Sequence, residues 1–444
     1  MLLTPDSIRK LQRKLYHKAK QEPGFRFYSL YDKVYRADIL SHAYYLVRAN
    51  RGAPGVDGVS FESLKEGKGE TAFLLELEQE LREKRYRCQP VRRVWIPKPD
   101  GSRRPLGIPT IRDRVVQQAL KLVIEPIFEA DFCESSYGFR PKRSAHQAVD
   151  AISKALVTGH CQVVDADLSK YFDTIPHTKL LAVVAERISD KEVLALIKQW
   201  LKAAVVEKEN GKRRTVGGGK KNRVGTPQGG VISPLLANLY LHLLDRMWER
   251  RNIARRYGAQ LVRYADDFVI LCRGSAVAPM QLVNMMLDKC DLRLNEKKTS
   301  VINANQESFD FLGFCFHMRR SRRSGKLYPH VEPSKRSVQR IKSRVKELCN
   351  RRRTLVPLPE LLGEVNDALR GWTTYFHYEN STQVMGKVKY YTEERVRKHL
   401  RVRYKVRTRT RGYERFTTQY LYRYLGLYRI PTHAKWKRQA QALW

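Results

Sequence analysis

Apolar residues recur along most of the chain at the spacing of amphipathic helices, and shorter runs have the composition of strands. The helical spacing covers 1–45 (in two stretches), 71–85, 111–130, 190–208 and 279–291. The strand-like runs are 91–109, where two strands flank the turn PKPDG, 161–168 and 309–318. A chain that mixes the two patterns without an internal repeat is expected to fold as an α+β protein.

The longest apolar helix is predicted to start at Ser233 and Pro234, which suit the N-cap and the first helical position. Its apolar positions mark one buried face: Leu235, Leu236, Leu239, Tyr240, Leu243, Leu244, Met247 and Trp248. A Lys/Gly-rich loop, KENGKRRTVGGGKKNRVG, precedes it, and SSYGFRPKR is a second loop that leads into a helix. From about residue 333 the pattern is helical and basic to the end, with a break at Pro357 and Pro359.

The charge balance adds a partner to this picture. The 444 residues contain 85 Lys/Arg and 45 Asp/Glu, a formal net charge of +40, and residues 316–444 alone hold 32 Lys/Arg against 9 Asp/Glu. A surface this basic favours a polyanion. No apolar run of about 18 residues is present to span a bilayer. Nucleic acid is therefore the expected partner, and no membrane association is expected.

Cysteine usage argues against two other classes of protein. The seven cysteines form no CxxC pair and the eleven histidines are scattered, so neither a zinc site nor a disulfide framework is expected. The pattern suits a reducing compartment. We expect a cytoplasmic location, in the bacterial cytoplasm or nucleoid, with an organelle as the alternative.

Two adjacent carboxylates interrupt the apolar stretch LVRYADDFVIL. Buried carboxylates without partners repel one another and are costly to desolvate. Leu261–Tyr264 and Phe268–Leu271 are β-prone arms, so we predict a hairpin with Asp266 and Asp267 at its tip and the small Ala265 beside them. Such a tip suits a divalent cation. A surface turn with two solvated aspartates fits the four residues YADD, 264–267, equally well.

A two-metal site for displacement at phosphorus needs a further carboxylate from elsewhere in the chain. The predicted strand in VVDADLSKYFD offers Asp165, Asp167 and Asp173. Asp165 and Asp167 share one face of that strand, because side chains alternate with a period of two, and Asp167 lies at its end, where a loop can expose it. The residues alone leave the choice among the three open.

Through the segments around Asp167 and YADD, together with further motifs, the sequence closely resembles the group II intron reverse transcriptases. The motifs occur in the family's order from about residue 45 to about 378: RGAPGVDGVS, IPKPDGSRRPLGIPTIRDRVVQQAL, SSYGFRPKRSAHQAV, VVDADLSKYFDTIPH, GTPQGGVISPLLANLYL, YADD, LRLNEKKT, FDFLGF and LRGWTTYF. So many ordered motifs make a chance match negligible.

The resemblance implies a right-hand polymerase with four regions. These are an N-terminal helical extension (1–45), fingers and palm with an antiparallel sheet (46–318), thumb and maturase (X) helices (319–378) and a basic C-terminal nucleic-acid-binding region (379–444). It also implies the metal site. Asp167 matches the family's first metal-binding aspartate, and Asp266 and Asp267 match the other two, which leaves Asp165 and Asp173 with structural roles. The implied cofactor is Mg²⁺, as two ions, with Mn²⁺ as a substitute.

The same resemblance implies which residues contact the nucleotide. Lys98 and Arg104 correspond to positions that reach the triphosphate, and Arg103 is an alternative to Arg104. Gln228 lies in a loop whose glycines let the backbone approach template and nucleotide closely, and its amide can hydrogen-bond to sugar or base edges.

Two further nucleotide-binding positions carry alternatives. Tyr171 falls where the family has an aromatic ring that would clash with a 2′-hydroxyl and so select dNTPs; the family often has Phe there, and Phe172 is the competitor. Lys298 matches the family's motif lysine, a proton donor to pyrophosphate, and a solvated surface lysine is the equal alternative.

The implied activity is RNA-templated DNA synthesis together with help in splicing and mobility of the intron that encodes the protein. Expected partners are group II intron RNA, an RNA template with a DNA or RNA primer, target DNA and dNTPs, and a homodimer is left open. RVRKHLRVRYKVRTRTRGYERF interleaves basic and aromatic residues, which suits structured or single-stranded RNA.

One feature of the family is not expected in this chain, and two alternative functions stay open. No cysteine follows Cys349, so we expect no nuclease domain of the family's cysteine-containing kind. A splicing factor with a vestigial polymerase, and a domesticated enzyme of repair or defence, are the alternatives to an active intron-encoded polymerase.

Overall fold

The computed structural model describes residues 3–97, 101, 103–209 and 212–433. These fold as two compact units, each built from several chain segments. The first unit comprises Met1–Ser144, Ala166–Ile270 and Val277–Ser300, and the second comprises Ala145–Asp165, Leu271–Ala276 and Val301–Trp444. The segment 145–165, which we expected within the fingers and palm, thus belongs to the unit that also holds the C-terminal helices.

Helices make up most of both units. In chain order they are α1 Asp6–Gln21, α2 Tyr31–Val34, α3 Ala37–Ala49, α4 Phe61–Glu66, α5 Glu70–Arg82, α6 Ile111–Glu129, α7 Ala145–Val157, α8 Tyr171–Thr174, α9 His177–Ala185, α10 Lys191–Leu201, α11 Ser233–Arg250, α12 Ile253–Tyr257, α13 Val277–Lys289, α14 Lys335–Leu348, α15 Leu358–Phe376, α16 Thr382–Arg403 and α17 Arg409–Arg415. A 3₁₀ turn covers Arg351–Arg353 and a π turn covers Tyr420–Tyr424.

Eleven strands in the described residues form three small sheets. The strands are β1 Val91–Pro97, β2 Arg103–Ile108, β3 Gln162–Ala166, β4 Val205–Glu209, β5 Lys212–Gly217, β6 Ala259–Tyr264, β7 Asp267–Cys272, β8 Ser300–Asn303, β9 Phe309–Phe311, β10 Phe314–Arg320 and β11 Leu327–Pro333. Their orders are β2-β1-β4-β5, β6-β7-β3-β8 and β11-β10-β9. The α+β class expected from the sequence is confirmed, and antiparallel pairs dominate the first and third sheets.

The first sheet corrects one helix boundary. Helical spacing was expected to continue to 208, but α10 ends at Leu201, and the β-branched Val205 and Val206 enter β4. β4 pairs with β5 in a hairpin, so part of the expected Lys/Gly-rich loop is strand. Gly218 turns the chain after this hairpin with φ 73, and a Cβ there would lie 2.1 Å from the carbonyl oxygen of Ala203.

The third sheet corrects a second prediction. The run 309–318 forms two antiparallel strands, because Leu312 and Gly313 both take left-handed conformations, with φ of 50 and 81, and reverse the chain. The sequence pattern also missed β11, which pairs with β10 over its whole length. Ser233 is a further correction: it is the first helical residue of α11, and its hydroxyl donates to the carbonyl of Pro227 instead of capping the helix.

Helix α6 supplies much of the core of the first unit and packs against α1 and α3. Its N-terminus is capped by Thr110, whose hydroxyl accepts the backbone N–H of Asp113 at 3.2 Å. The buried carboxylate of Asp113 accepts hydrogen bonds from the hydroxyls of Thr110 and Tyr86, at 2.8 and 2.6 Å. Burial of this charge is therefore compensated on both oxygens.

The core of the second unit lies between α14, α15 and α16. Val345, Val365, Leu369, Met385 and Leu400 are among its buried members. In the same unit α7 packs against β11. All seven cysteines are free thiols, as the sequence predicted. Among the described helices, none has the length and apolar character needed to cross a bilayer.

Candidate active site

The apolar stretch that contains the two aspartates forms the predicted hairpin. Strands β6 and β7 are neighbours in their sheet, and the turn between them consists of Ala265 and Asp266. The arms are buried, with Phe268 fully enclosed. Ala265 takes a left-handed conformation with φ 59, so the turn is tight. Asp266 lies in the turn and is partly buried, whereas Asp267 is the first residue of β7 and is exposed.

The loop that contains SSYGFRP packs directly behind this turn. A Cβ at Gly138 would lie 2.3 Å from the backbone nitrogen of Ala265, closer than real Cβ atoms approach a neighbouring atom. The side-chain amide of Asn238, on α11, donates to the carbonyl of Gly138 at 2.5 Å. A glycine is therefore required at 138 for the loop and the turn to touch.

Asp167 follows β3 and is held by the loop that carries LRLNEKKT. The backbone N–H of Asn295 donates to the carbonyl of Asp167 at 2.8 Å, and its side-chain amide donates to Oδ2 at 3.3 Å. The ammonium group of Lys298 lies 2.9 Å from the same Oδ2. Asn295 was not among the predicted site residues; its place in the same motif as Lys298 was the signal that could have identified it.

The electrostatics of the hairpin link Asp266 to Asp167. Burial raises the pKa of the Asp266 carboxyl above its ordinary value, and the negative charge of Asp167 raises it further. The positive charges of Arg104 and Arg263 oppose this rise. The two carboxylates are thus close enough to repel one another, and a divalent cation between them would offset that repulsion.

The carboxylates of Asp167, Asp266 and Asp267 therefore suit a divalent cation, although the three side chains do not converge on one point in this structure. Within the described residues, no group of three or more His, Cys, Asp or Glu side chains converges as a metal cluster. Asp266 and Asp167 lie within electrostatic reach, and Asp267 adjoins Asp266 in the chain. Oxygen ligands of this kind are the ones that Mg²⁺ prefers.

Two of the predicted nucleotide-binding residues, Arg104 on β2 and Gln228 in the GTPQGG loop, are in contact. The guanidinium Nε of Arg104 donates to the side-chain oxygen of Gln228 at 2.8 Å, and the backbone N–H of Gly107 donates to the Gln228 carbonyl at 2.6 Å. A Cβ at Gly229, where φ is 110, would lie 2.5 Å from the carbonyl oxygen of Gly107. Neighbouring strand residues face opposite sides, so Arg103 lies on the other face of β2, and the contact with Gln228 favours Arg104. Lys98 lies outside the described residues.

The two aromatic candidates for contact with the sugar are placed differently. Tyr171 is only 3% exposed, and its hydroxyl donates to the carbonyl of Ala237 in α11 at 2.5 Å. Burial raises the pKa of Tyr171 well above its ordinary value. Phe172 is partly exposed, and its carbonyl accepts the N–H of Thr226 in the GTPQGG loop at 2.8 Å. The ring of Tyr171 is therefore enclosed against α11, whereas Phe172 is partly accessible, and the choice between them for sugar contact stays a prediction.

The chain is similar to known proteins along most of its length. The family model of reverse transcriptases (RNA-dependent DNA polymerases) matches residues 96–316, and the model of the group II intron maturase-specific domain matches residues 338–441. Protein YkfC of Escherichia coli K12 is 35% identical over 357 residues, 71% of this chain and 90% of YkfC. The group II intron-encoded protein LtrA of Lactococcus lactis is 31% identical over 373 residues, 68% of this chain and 59% of LtrA. The chain belongs to the group II intron reverse transcriptases.

This group II intron reverse transcriptase is an RNA-directed DNA polymerase that also carries a maturase domain. The polymerase model includes every candidate site residue from Lys98 to Lys298. The maturase model continues past residue 378, into the basic region that follows the last of the motifs. A more distant relative, nuclear intron maturase 1 of Arabidopsis thaliana mitochondria, is 28% identical over 187 residues, 32% of this chain and 26% of that protein.

Proposed function

We propose that this group II intron reverse transcriptase copies RNA into DNA at a site formed by Asp167, Asp266 and Asp267, and that it binds group II intron RNA to assist splicing and mobility. The observation that carries the proposal is the position of Asp266 at the hairpin tip, where burial and then the charge of Asp167 raise the pKa of its carboxyl. Two carboxylates that repel one another destabilise a fold, and a divalent cation bound between them would offset that repulsion.

The cofactor in this proposal is Mg²⁺, as two ions, with Mn²⁺ as a substitute. Asp167, Asp266 and Asp267 would hold the ions through carboxylate oxygens. When bound, the ions would supply Lewis-acid chemistry, which lowers the pKa of a 3′-hydroxyl nucleophile and offsets the charge of a pyrophosphate leaving group. The contacts of Asn295 fix the orientation of Asp167, so that one ligand is oriented before the cofactor binds.

The remaining residues bind and orient the nucleotide. Arg104 neutralises the triphosphate, and Gln228 holds its guanidinium through the 2.8 Å hydrogen bond while the loop backbone approaches the sugar. Lys98 is proposed as a second triphosphate ligand. Phe172, in place of Tyr171, excludes a 2′-hydroxyl. Lys298, at the mouth of the site with its ammonium on Asp167, supplies a proton to pyrophosphate.

Recognition of the intron RNA is proposed for the basic C-terminal region. Helices α16 and α17 and the segment 404–408 between them expose basic and aromatic side chains together: Tyr390, Tyr404, Lys405, Arg407, Arg411 and Tyr413. Guanidinium groups pair with phosphates and rings stack on unpaired bases. The four-region division at 45, 318 and 378 is part of the proposal, with target DNA as a further partner, and a homodimer stays open.

The experiment that tests the site is primer extension on an RNA template with an Asp266→Asn/Asp267→Asn variant. Asparagine keeps the size of each side chain and removes its charge, so the variant is expected to fold and bind RNA but to synthesise no cDNA. Asp173→Asn is the matched control, because Asp173 is an exposed carboxylate close to Asp167 in the chain and outside the proposed ligand set. Wild-type synthesis by the double variant would refute the assignment.

A second assay separates the two activities of the protein. Splicing of a group II intron RNA is measured with the same double variant, and splicing assistance is expected to persist because the maturase region is unaltered. A wild-type protein that assists splicing but copies no RNA would instead support the alternative of a splicing factor with a vestigial polymerase.

A further inference from the structure

Arg263 stands directly before the YADD turn and is completely enclosed. Its exposed fraction is 0%, the same as that of Asp245 on α11, with which it forms an ion pair. Arginine is almost never fully buried unless it is paired, because desolvation of its charge is costly. A fully buried ion pair contributes little net stability compared with apolar residues of the same volume. The position of this ion pair beside Asp266 and Asp267 therefore needs an explanation other than stability.

The guanidinium of Arg263 is anchored to α11 on one side. Nε donates to Oδ1 of Asp245 at 2.9 Å and Nη2 donates to Oδ2 at 2.5 Å, which is the parallel two-bond geometry of a strong arginine–carboxylate pair. Nη1 donates to the side-chain oxygen of Asn238, about two turns before Asp245 on the same face of α11, at 3.0 Å. Burial lowers the pKa of Arg263, but the charge and hydrogen bonds of Asp245 outweigh that effect and raise it above its ordinary value, so the group is a cation.

On its other side the guanidinium holds the turn itself. Nη1 also donates to the carbonyl of Ala265 at 2.9 Å. That carbonyl belongs to the peptide bond that joins Ala265 to Asp266, so its direction sets the direction in which the Asp266 backbone leaves the turn. Ala265 has φ 59, a conformation that a non-glycine residue keeps only when its surroundings enforce it.

The same guanidinium joins the loop behind the turn to this assembly. Nη2 donates to the hydroxyl of Ser136 at 2.7 Å, and the backbone of Arg263 exchanges hydrogen bonds of 2.8 Å with Ser135 and Tyr137. Asn238 reaches the same loop through its bond to Gly138. Helix α11, the SSYGFRP loop and the YADD turn are thus all hydrogen-bonded to the guanidinium of Arg263. The turn is therefore fixed from the side of the helix and from the side of the loop.

We propose that Arg263 is a positioning residue of the polymerase: clamped by Asp245 and Asn238, it fixes the Ala265 carbonyl and so orients the carboxylates of Asp266 and Asp267 for the divalent cation. The inference rests on the proposed function of those two aspartates. According to this inference, the buried pair of Arg263 and Asp245 affects cation binding and catalytic turnover as well as folding.

The test compares two variants with a matched control. Arg263→Met/Asp245→Leu removes both charges together, so that neither is left buried without a partner. Arg263→Lys keeps the charge but replaces the planar fork by a single ammonium group, which cannot hold both Asp245 oxygens and the turn at once. The control is Arg187→Met, because Arg187 is likewise buried in the first unit, pairs with Asp131 at 3.1 Å and donates to the carbonyl of Ala19 at 2.7 Å, far along the chain from the turn.

Three quantities are measured on the full chain: the thermal midpoint, kcat and KM for dNTP in primer extension, and Mn²⁺ affinity by electron paramagnetic resonance with a chain-terminated primer. Both Arg263 variants should lose about 100-fold in kcat with little change in KM. Their Mn²⁺ dissociation constant should rise about 10-fold or more, as for loss of a residue that orients metal ligands. Arg187→Met should change only the thermal midpoint.

The inference is overturned if both Arg263 variants keep the kcat and Mn²⁺ affinity of Arg187→Met while the thermal midpoint falls. Arg263→Lys decides the matter should the double variant not fold, since it retains the ion pair. Asp266→Asn is assayed in parallel: its continued activity would reject the proposed function itself, whereas an inactive Asp266→Asn beside fully active Arg263 variants rejects only the positioning role.

Discussion

Two neighbouring aromatic residues after Asp167 occupy different environments, and this predicts which of them selects the sugar. Phe172→Val should let the enzyme incorporate rNTPs, with the dNTP preference falling about 10- to 100-fold, because the ring that would clash with a 2′-hydroxyl is removed. The measurement is the ratio of kcat/KM for dCTP and rCTP on one RNA template.

Tyr171→Leu is the matched variant for that experiment. The ring of Tyr171 is buried and its hydroxyl is bonded to Ala237, so its loss should cost about 2 kcal/mol of stability and leave the dNTP preference unchanged. If instead Tyr171→Leu lost the preference and Phe172→Val kept it, the assignment from the resemblance would be right and the one from burial wrong.

His242 supplies a prediction about pH at the residue scale. Burial lowers the pKa of His242 to about 4, from about 6.5 in an unfolded chain. As pH falls from 6.5 towards 4, the unfolded chain gains a proton that the folded protein does not, so stability falls by about 3 kcal/mol. Above pH 6.5 this loss is absent.

The variant His242→Gln should lose less stability on acidification than the wild type. Urea unfolding at pH 7.5 and at pH 4.5 measures the difference, and because the other titrating groups are shared, only the change between the two proteins is interpreted. Equal losses in the two proteins would contradict a neutral, buried His242.

Residue identity could be predicted from sequence only where a motif is local. YADD and the segment around Asp167 are short runs, so their candidates could be named before the structure was known. Arg263 stands directly beside the YADD motif, yet nothing in the sequence indicated that it is buried against Asp245, eighteen positions away on a helix. Tyr171 and Phe172 could not be separated either, since burial depends on where the short α8 meets α11.

At the scale of elements, the contact between the SSYGFRP loop and the hairpin predicts a packing defect. In a Gly138→Ala variant the new methyl group would overlap the backbone nitrogen of Ala265, so the turn must shift. We expect a loss of about 1–3 kcal/mol in stability, and a fall in polymerase activity larger than that loss explains, because the turn carries Asp266.

Gly24→Ala is the control for Gly138→Ala. No heavy atom lies within 4 Å of the place where a Cβ would stand at Gly24, and the stability of this variant should stay within about 0.5 kcal/mol of the wild type. Thermal unfolding and primer extension are measured for both. If the stability and activity of Gly138→Ala were unchanged, the SSYGFRP loop would be shown to move and accommodate the methyl group. The turn would then not depend on the position of that loop.

Element type could be predicted where one period extends over a long segment, as in α6 and α11. It was wrong where the period changes within a few residues. The helix expected to continue to 208 gives way to β4, since Val205 and Val206 gain a partner strand in β1 and β5 that the sequence does not reveal. The pair Leu312 and Gly313 breaks an apparently continuous strand through backbone conformation alone.

At the scale of the whole molecule, the uneven charge predicts how RNA binding responds to salt. The +40 net charge is concentrated after residue 316, and the exposed Lys405, Arg407 and Arg411 lie close together in that region. Each phosphate contact that a cation makes releases counterions, which contributes about 0.7 to the slope of log K against log salt for a single strand.

A variant with Lys405, Arg407 and Arg411 all changed to Gln should therefore bind a single-stranded RNA oligonucleotide with a slope smaller by about 2. The control changes Lys68, Arg82 and Lys84 to Gln: it removes the same charge from residues that already pair with Glu76, Glu78 and Glu192. If binding followed net charge alone, the two triple variants would lose the same slope. A loss confined to the first variant places the RNA on the C-terminal region around residues 405–411, because only cations in contact with phosphates release counterions on binding.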